Sequence, residues 1–348
     1  MAILDGTSGS PTRKKPSVGK WALYGAIGII LLAVPAIAQN PYQVHILNMA
    51  GIYILISLGL NIAMGFAGQF NLAMGPLWGV GAYTAAILNT RYGIPFWLNL
   101  PASMVVTGAI GALVGLPSLK VRSHYLAIVT IGLGEVINII LLNQEKLTGG
   151  ALGIPKIAMP GFFGIPLNND RRFYYLILVV VVLGYLLARQ ILGHRIGRSF
   201  RAVRDDFQAA RAMGIDTTYY QVLAFAISAV YAGAAGALFA HLNTYISPDI
   251  FEFSSTLFVM TMTMVGGMGS LAGSVIGGLA LPILQELLRV IKNWQLVVYG
   301  VAIMVVVLFV PGGVVEIARR LRESSANRKS RSSQSIAAAE QAEDSGVP

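Results

Sequence analysis

The chain contains no cysteine, and of its 348 residues only 11% are charged. The missing thiols exclude disulfides, thiolate metal sites and cysteine nucleophiles together, and they leave the redox compartment unreadable. The scarcity of charge excludes more. Ordinary globular proteins carry roughly 25% charged residues, whereas here the hydrophobic class alone reaches 55%. So few charges cannot wet a sphere of this size, and lipid must be the solvent for most of the chain. A soluble enzyme, a nucleic-acid-binding module and a disordered tail protein are excluded on that ground. Histidine is also scarce, with four scattered copies. They set up no nucleophile–base pair, and no cluster with carboxylates offers metal ligands. The glycine-rich stretch Gly266–Gly273 lacks the Lys-Ser/Thr ending that a phosphate-binding loop requires. The chain by itself therefore neither hydrolyses ATP nor performs covalent chemistry, and any ATP-driven motor belongs to another subunit.

What is present is a succession of long apolar runs. A membrane-spanning helix needs about 20 mostly apolar residues, and between Lys20 and Lys120 the only formally charged residue is Arg91. Runs between turn residues predict helices near 21–38, 43–64, 72–90, 98–116, 125–143, 174–192, 220–240, 254–268, 272–290 and 295–311. The fold class is thus an all-α polytopic membrane protein with about ten spans. The breaks at Gly65–Gln69 and Gly266–Gly269 are glycine-rich and uncharged. Each flanking pair reads either as a discontinuous helix or as a re-entrant hairpin, which allows eight to ten crossings without changing the orientation.

Basic residues orient the bundle. Eighteen of the 25 Lys and Arg fall in the head, at Lys120 and Arg122, between Arg189 and Arg211, and beyond Arg319. Under the ten-span reading these segments share one side, which the positive-inside rule makes the cytoplasm. Both termini are then inside, and 144–173 and 241–253 are outside. The expected organisation is a cytoplasmic tail over 1–20, a transmembrane domain over 21–313 and a cytoplasmic tail over 314–348. Both tails are polar, and the second is Ser-rich before its Ala/Glu/Asp end, as mobile ends are. Ala36-Ile37-Ala38 resembles a signal-peptidase site. Retention of the first helix is the reading taken here, and cleavage would leave the parity intact.

Three constellations carry functional expectations. Gly269, Gly273 and Gly277 form overlapping GxxxG steps beside Gly266, Gly267 and Gly278, a pattern that lets helices approach closely or serves gating. A second region holds Gly65, Gly68, Gly75, Gly79 and Gly81 with Pro76, and here Gln69 and Asn71 add hydrogen-bonding groups to a break that would line a cavity. Glu135 is the one carboxylate well inside a predicted span, with Asn138 one turn later. An ionisable group at that depth is a functional hypothesis by default, although a local helix–helix contact would also make it bearable. Gln69, Asn71, Glu135 and Asn138 are therefore candidate pathway-lining residues. The arginine-rich loop 193–219 contains Arg204-Asp205-Asp206-Phe207-Gln208-Ala209-Ala210-Arg211-Ala212-Met213-Gly214-Ile215. Its small residues and its stopping glycine predict a short surface helix with a close-packing face, where a plain positive-inside loop needs charge alone.

That segment resembles the cytoplasmic loop of bacterial branched-chain amino-acid ABC permeases, specifically the M-type partner of the two-permease pair. The similarity continues through GFAGQFNLAMGPLWGVGAYTAA at Gly65–Ala86, Thr148-Gly149-Gly150 with Gly153, GGMGSLAG at Gly266–Gly273, and the last span Tyr299–Gly312. It covers about residues 45–313. Asp206 stands where relatives often carry Asn, Phe207 where many carry Glu, and Gln208 in the place of the Glu of the wider coupling motif. The resemblance implies an importer subunit in the bacterial inner membrane that forms its pathway with a homologous permease. It implies two cytoplasmic ATPases, which hold ATP and Mg and dock on Arg204, Asp205, Gln208, Ala209, Ala210, Gly214 and Ile215, and an external solute-binding protein. This chain would hold no cofactor of its own. Branched-chain or other neutral amino acids are the implied cargo, with urea or short-chain amides carried by relatives. An ATP-independent secondary transporter is the rival class, and of the carboxylates it would use for ion coupling only Glu135 qualifies.

The charge asymmetry makes a direct prediction. Single cysteines placed at Ser199 and Asn168 on this cysteine-free background should react with an impermeant thiol reagent from opposite sides of the membrane. Reaction of both from one side would refute the orientation.

Overall fold

The computed structural model describes residues 40–119, 124–162, 165, 166 and 169–288, with isolated positions at 32, 35, 300, 301, 304 and 313. Apart from those isolated positions, the expected first and last spans and both tails lie outside these residues. Helices run over Pro41–Asn61 (α1), Met74–Tyr92 (α2), Phe96–Gly115 (α3), His124–Asn143 (α4), Asp170–Gly193 (α5), Arg195–Asp205 (α6), Phe207–Ala212 (α7), Thr217–Asn243 (α8), Phe253–Gly266 (α9) and Leu271–Leu288 (α10). Two two-residue strands, Gly161–Phe162 and Ile165–Pro166, pair antiparallel. Six helices are long and apolar enough to cross a membrane: α1 with its extension to Phe66, α3, α4, α5, α8 and α10. All eight internal runs expected from hydropathy appear as helices.

The bundle is organised around α8. At 27 residues it is about 40 Å long, and every residue from Tyr231 to Leu242 is buried. It is buried on several sides because α2, α3 and α1 all pack against it. Those contacts are close because side chains are missing. A Cβ on Gly233 would stand 2.6 Å from the Ser103 carbonyl of α3, and one on Gly81 of α2 would stand 2.6 Å from the Gly233 Cα. A Cβ on Gly236 would lie 2.4 Å from the Ala82 nitrogen, and one on Gly111 would lie 2.1 Å from the Ala229 Cβ. In lipid the apolar effect does not draw helices together, so association rests on such packing and on interhelical polar contacts. Aromatic rings close the space that small residues leave. Trp78 packs edge-on to Phe239 at 4.8 Å and to Phe251 at 5.0 Å.

Contacts between loops sort into two ends. At one end Arg204 meets Gly65 and Gly269 lies beside Asn61. At the other, Arg91 donates to the carbonyls of Lys146 and Leu147, Ile154 pairs with Ile246, and His45 faces Asp170 at 3.6 Å. The first contacts join loops expected on one side of the membrane, and the second join loops expected on the other.

Segment 241–253 does not stay at the surface of that end. Ile246, Pro248 and Phe251 are buried, and Phe251 reaches Gly79 of α2, well short of that helix's end at Tyr92. The chain dips into the bundle after α8, and α9 starts from this depth. Its 14 residues make about 21 Å, less than the roughly 30 Å hydrocarbon layer, because the dip has already covered part of the distance. Hydropathy sees an apolar connection here without seeing its direction.

Close approach at α8 makes a stability prediction. Gly233→Val should destabilise the purified chain by on the order of 1–3 kcal/mol, as overpacking does. Gly132→Ala, where nothing lies within 4 Å, should be neutral or stabilising by about 0.5–1 kcal/mol. Thermal unfolding in detergent compares them, and equal effects would remove α8 from its organising role.

Candidate functional site

The arginine-rich loop folds into two helices set at an angle. After α5 the chain turns at His194, whose backbone is extended (φ −99°, ψ −165°). Gly197 fits there because a Cβ would lie 2.2 Å from the Leu192 carbonyl. Helix α6 is amphipathic at helical spacing: Gly197, Phe200 and Val203 are buried, while Arg195, Arg198, Arg201 and Arg204 are exposed. It stops at Asp206, which is extended, and α7 begins at the next residue.

Asp206 makes that second start. Its Oδ1 accepts hydrogen bonds from the Gln208 and Ala209 amides at 2.8 and 3.0 Å, satisfying two of the otherwise free N–H groups of a helix start. The residue that differs from the family pattern thus retains a capping role that Asn would also perform. Helix α7 ends as predicted, with Gly214 in the left-handed region at φ +78°. Its surface divides sharply. Gln208, Ala209, Arg211, Ala212 and Gly214 are exposed, Met213 is 82% exposed, and Ile215 is half-buried. Ala210 is buried within the chain, so it packs the helix down and does not share the open face expected of it beside Ala209.

Arg204 divides its hydrogen bonds between Asp205 and the helices beneath. Asp205 is exposed and pairs with Arg204 at 3.0 Å. The other arm of the Arg204 guanidinium turns inward, where Nη1 donates to the Gly65 carbonyl at 2.7 Å. Its stem covers Gly68, where a Cβ would be 2.6 Å from the Arg204 Cγ. Gly65 belongs to a π-helical turn, Ile62–Phe66, that ends the run of α1. Asn61, just before it, accepts from the Gly269 amide at 2.8 Å and donates to the Ser270 carbonyl at 2.8 Å and to Ser274 Oγ at 2.7 Å. Both glycine-rich breaks and the loop helix therefore meet at one point, which no spacing in the sequence reveals.

The glycines of the second break have separate tasks. Gly267 and Gly269 have positive φ, +121° and +77°, and make the turn from α9 to α10. Gly266, Gly273 and Gly277 pack those two helices backbone to backbone. A Cβ on Gly266 would sit 2.0 Å from the Gly273 carbonyl, and one on Gly277 would sit 2.0 Å from that of Met262. Gly313 closes over the same turn, since its own Cβ would lie 2.4 Å from the Gly267 Cα.

The four polar candidates do not converge. Gln69 is buried and donates to the Ala67 carbonyl at 3.3 Å. Asn71 is fully buried, and its Oδ1 accepts from the Ala73 amide at 3.1 Å, an Asx turn that sets up the start of α2. Both fasten the broken segment and neither reaches an open surface of this chain. Thr130 of α4 accepts from the Leu72 amide at 3.2 Å, which seats α4 on the same segment. Asn138 is half-buried, and its Oδ1 has no partner among the described residues. Glu135, the twelfth residue of α4, alone faces outward. It is exposed, in a stripe with Ile128, Gly132 and Ile139.

These features define a polytopic helical membrane protein with a folded, arginine-rich surface element at one end of its bundle. Residues 42–308 match the family described as the branched-chain amino acid transport system permease component. The high-affinity branched-chain amino acid transport system permease protein LivM of Salmonella typhimurium is 34% identical over 91% of this chain and 78% of its own length, as is LivM of Escherichia coli K12. LivH of Escherichia coli K12 is 27% identical over 77% of the chain and 92% of its own length. No solved structure matches the chain. The chain belongs to the branched-chain amino-acid ABC transporter permeases, and it is similar to their M-type subunits.

Asp206 yields the local prediction. Asp206→Ala should cost about 0.5–2 kcal/mol of helix stability, seen as faster hydrogen exchange at the Gln208 and Ala209 amides. Asp206→Asn should keep their protection. Unchanged exchange in the alanine variant would mean that α7 is held by its contacts alone.

Proposed function

We propose that this chain is one of two homologous permease subunits of an ATP-driven importer in a bacterial inner membrane, carrying branched-chain or other neutral amino acids. The observation that carries the reading is the family match over 42–308, which includes α6 and α7. Two ATPase subunits hold ATP and Mg at the cytoplasmic end, and an external binding protein delivers solute. The open face of α7, formed by Gln208, Ala209 and Gly214, receives the ATPases, with Asp205 and Ile215 at its margins.

The second permease has a physical counterpart in α4. A carboxylate facing hydrocarbon at the bilayer centre would cost about 2.5–3.5 kcal/mol even on insertion scales. Glu135 instead belongs against a partner subunit or the water-filled path between two permeases, with the half-buried Asn138 behind it. Glycine-mediated packing at Gly266, Gly273 and Gly277 keeps α9 and α10 together while that path changes access.

Reconstituted with its partner permease, ATPases and binding protein, the chain should accumulate leucine only with hydrolysable ATP. Gly214→Val and Ala209→Trp should each lower that uptake at least tenfold and release the ATPases on purification. The first forces a β-branched residue into positive φ, and the second adds bulk to an exposed face. Uptake driven by an ion gradient without ATP would move the protein to secondary transport. Uptake of urea or short-chain amides in place of leucine would reassign the cargo within the family.

A further inference from the structure

Arg204 lies on the helix that leads into the ATPase-facing element, yet one of its three hydrogen bonds reaches into the membrane domain. Nε and Nη2 hold Asp205 at 3.1 and 3.0 Å, while Nη1 holds the Gly65 carbonyl at 2.7 Å. That carbonyl sits in a π-helical turn, where the regular ladder is interrupted, as it often is at functional sites. The hydrogen bond is charge-assisted and therefore stronger than a neutral one. Gly68 shows how close the approach is, since any side chain there would strike the arginine stem. From Gly65 the connection continues without a gap. A Cβ on Gly65 would be 2.4 Å from the Gly269 amide nitrogen, and Asn61 bonds both the Gly269 amide and the Ser270 carbonyl. One guanidinium thus joins the cytoplasmic helix pair to the two places where membrane helices are broken.

We propose that Arg204 is the positioning residue that transmits movement of α6 and α7 to these breaks, and that it is not a docking contact for the ATPases. The inference rests on the ATP-driven reading above. It adds a division of labour, in which α7 receives the motors through Gln208, Ala209 and Gly214 while Arg204 passes their displacement to Gly65 and, through Asn61, to the Gly267–Ser270 turn. A planar fork is suited to this. It fixes two acceptors in direction at once, which a lysine ammonium, a single point charge, does not.

The test uses the assembled importer in proteoliposomes with Arg204→Met, Arg204→Lys and, as control, Arg198→Ala, which removes an exposed charge from the same helix. ATPase co-purification, ATP hydrolysis and leucine uptake are measured on each. In Arg204→Met the ATPases should remain bound and hydrolysis should persist within about twofold, while uptake per ATP falls at least tenfold. Arg204→Lys should fall at least threefold, and Arg198→Ala should match the wild type. Loss of the ATPases from Arg204→Met would make the residue a docking contact and overturn the proposal. An unchanged ratio of uptake to hydrolysis would overturn it as well. If the methionine variant cannot be expressed and purified, the lysine variant decides by the same ratio, and failure of both to yield protein would make Arg204 a folding determinant instead. Absence of ATP-driven uptake in the wild-type importer would refute the proposed function itself, whatever the variants do.

Discussion

The structure depends on how closely backbones can approach α8. With lipid on the outside, burying apolar surface gives little reason for one helix to choose another, and contact geometry decides. Gly233 and Gly236 on α8, Gly81 on α2 and Gly111 on α3 remove the side chains that would hold those helices apart. Once the backbones touch, the remaining volume is filled by Trp78, Phe239 and Phe251, whose edge-to-face contacts fix the depth at which the 244–252 connection turns inward. The short length of α9 follows from that depth.

The second consequence of this packing lies at the arginine-rich end. A chain that interrupts a helix inside a membrane must satisfy the backbone groups it frees. Here the partners are internal. Asn61 serves the turn between α9 and α10, Asn71 serves the start of α2, and Arg204 serves the end of the π-helical turn. Two of these residues, Asn61 and Arg204, also connect the breaks to each other and to α6. This gives the polar groups of the broken helices a structural task and leaves Glu135 as the exposed carboxylate of α4.

The division between legible and hidden features is physical. Eight helices were readable because transfer to lipid demands long uncharged runs. Gly214 was readable as a helix end, since few residues other than glycine adopt its conformation easily. The family was readable from the combination of loop and glycine motifs. The sequence by itself determined these because each depends on local composition or on one residue's backbone. The inward burial of Ala210, the fastening roles of Gln69 and Asn71, the dip of 244–252 and the bond from Arg204 to Gly65 were decided only by the tertiary structure. Each depends on which surface lies opposite, at a separation that no periodicity encodes; Arg204 and Gly65 stand 139 positions apart.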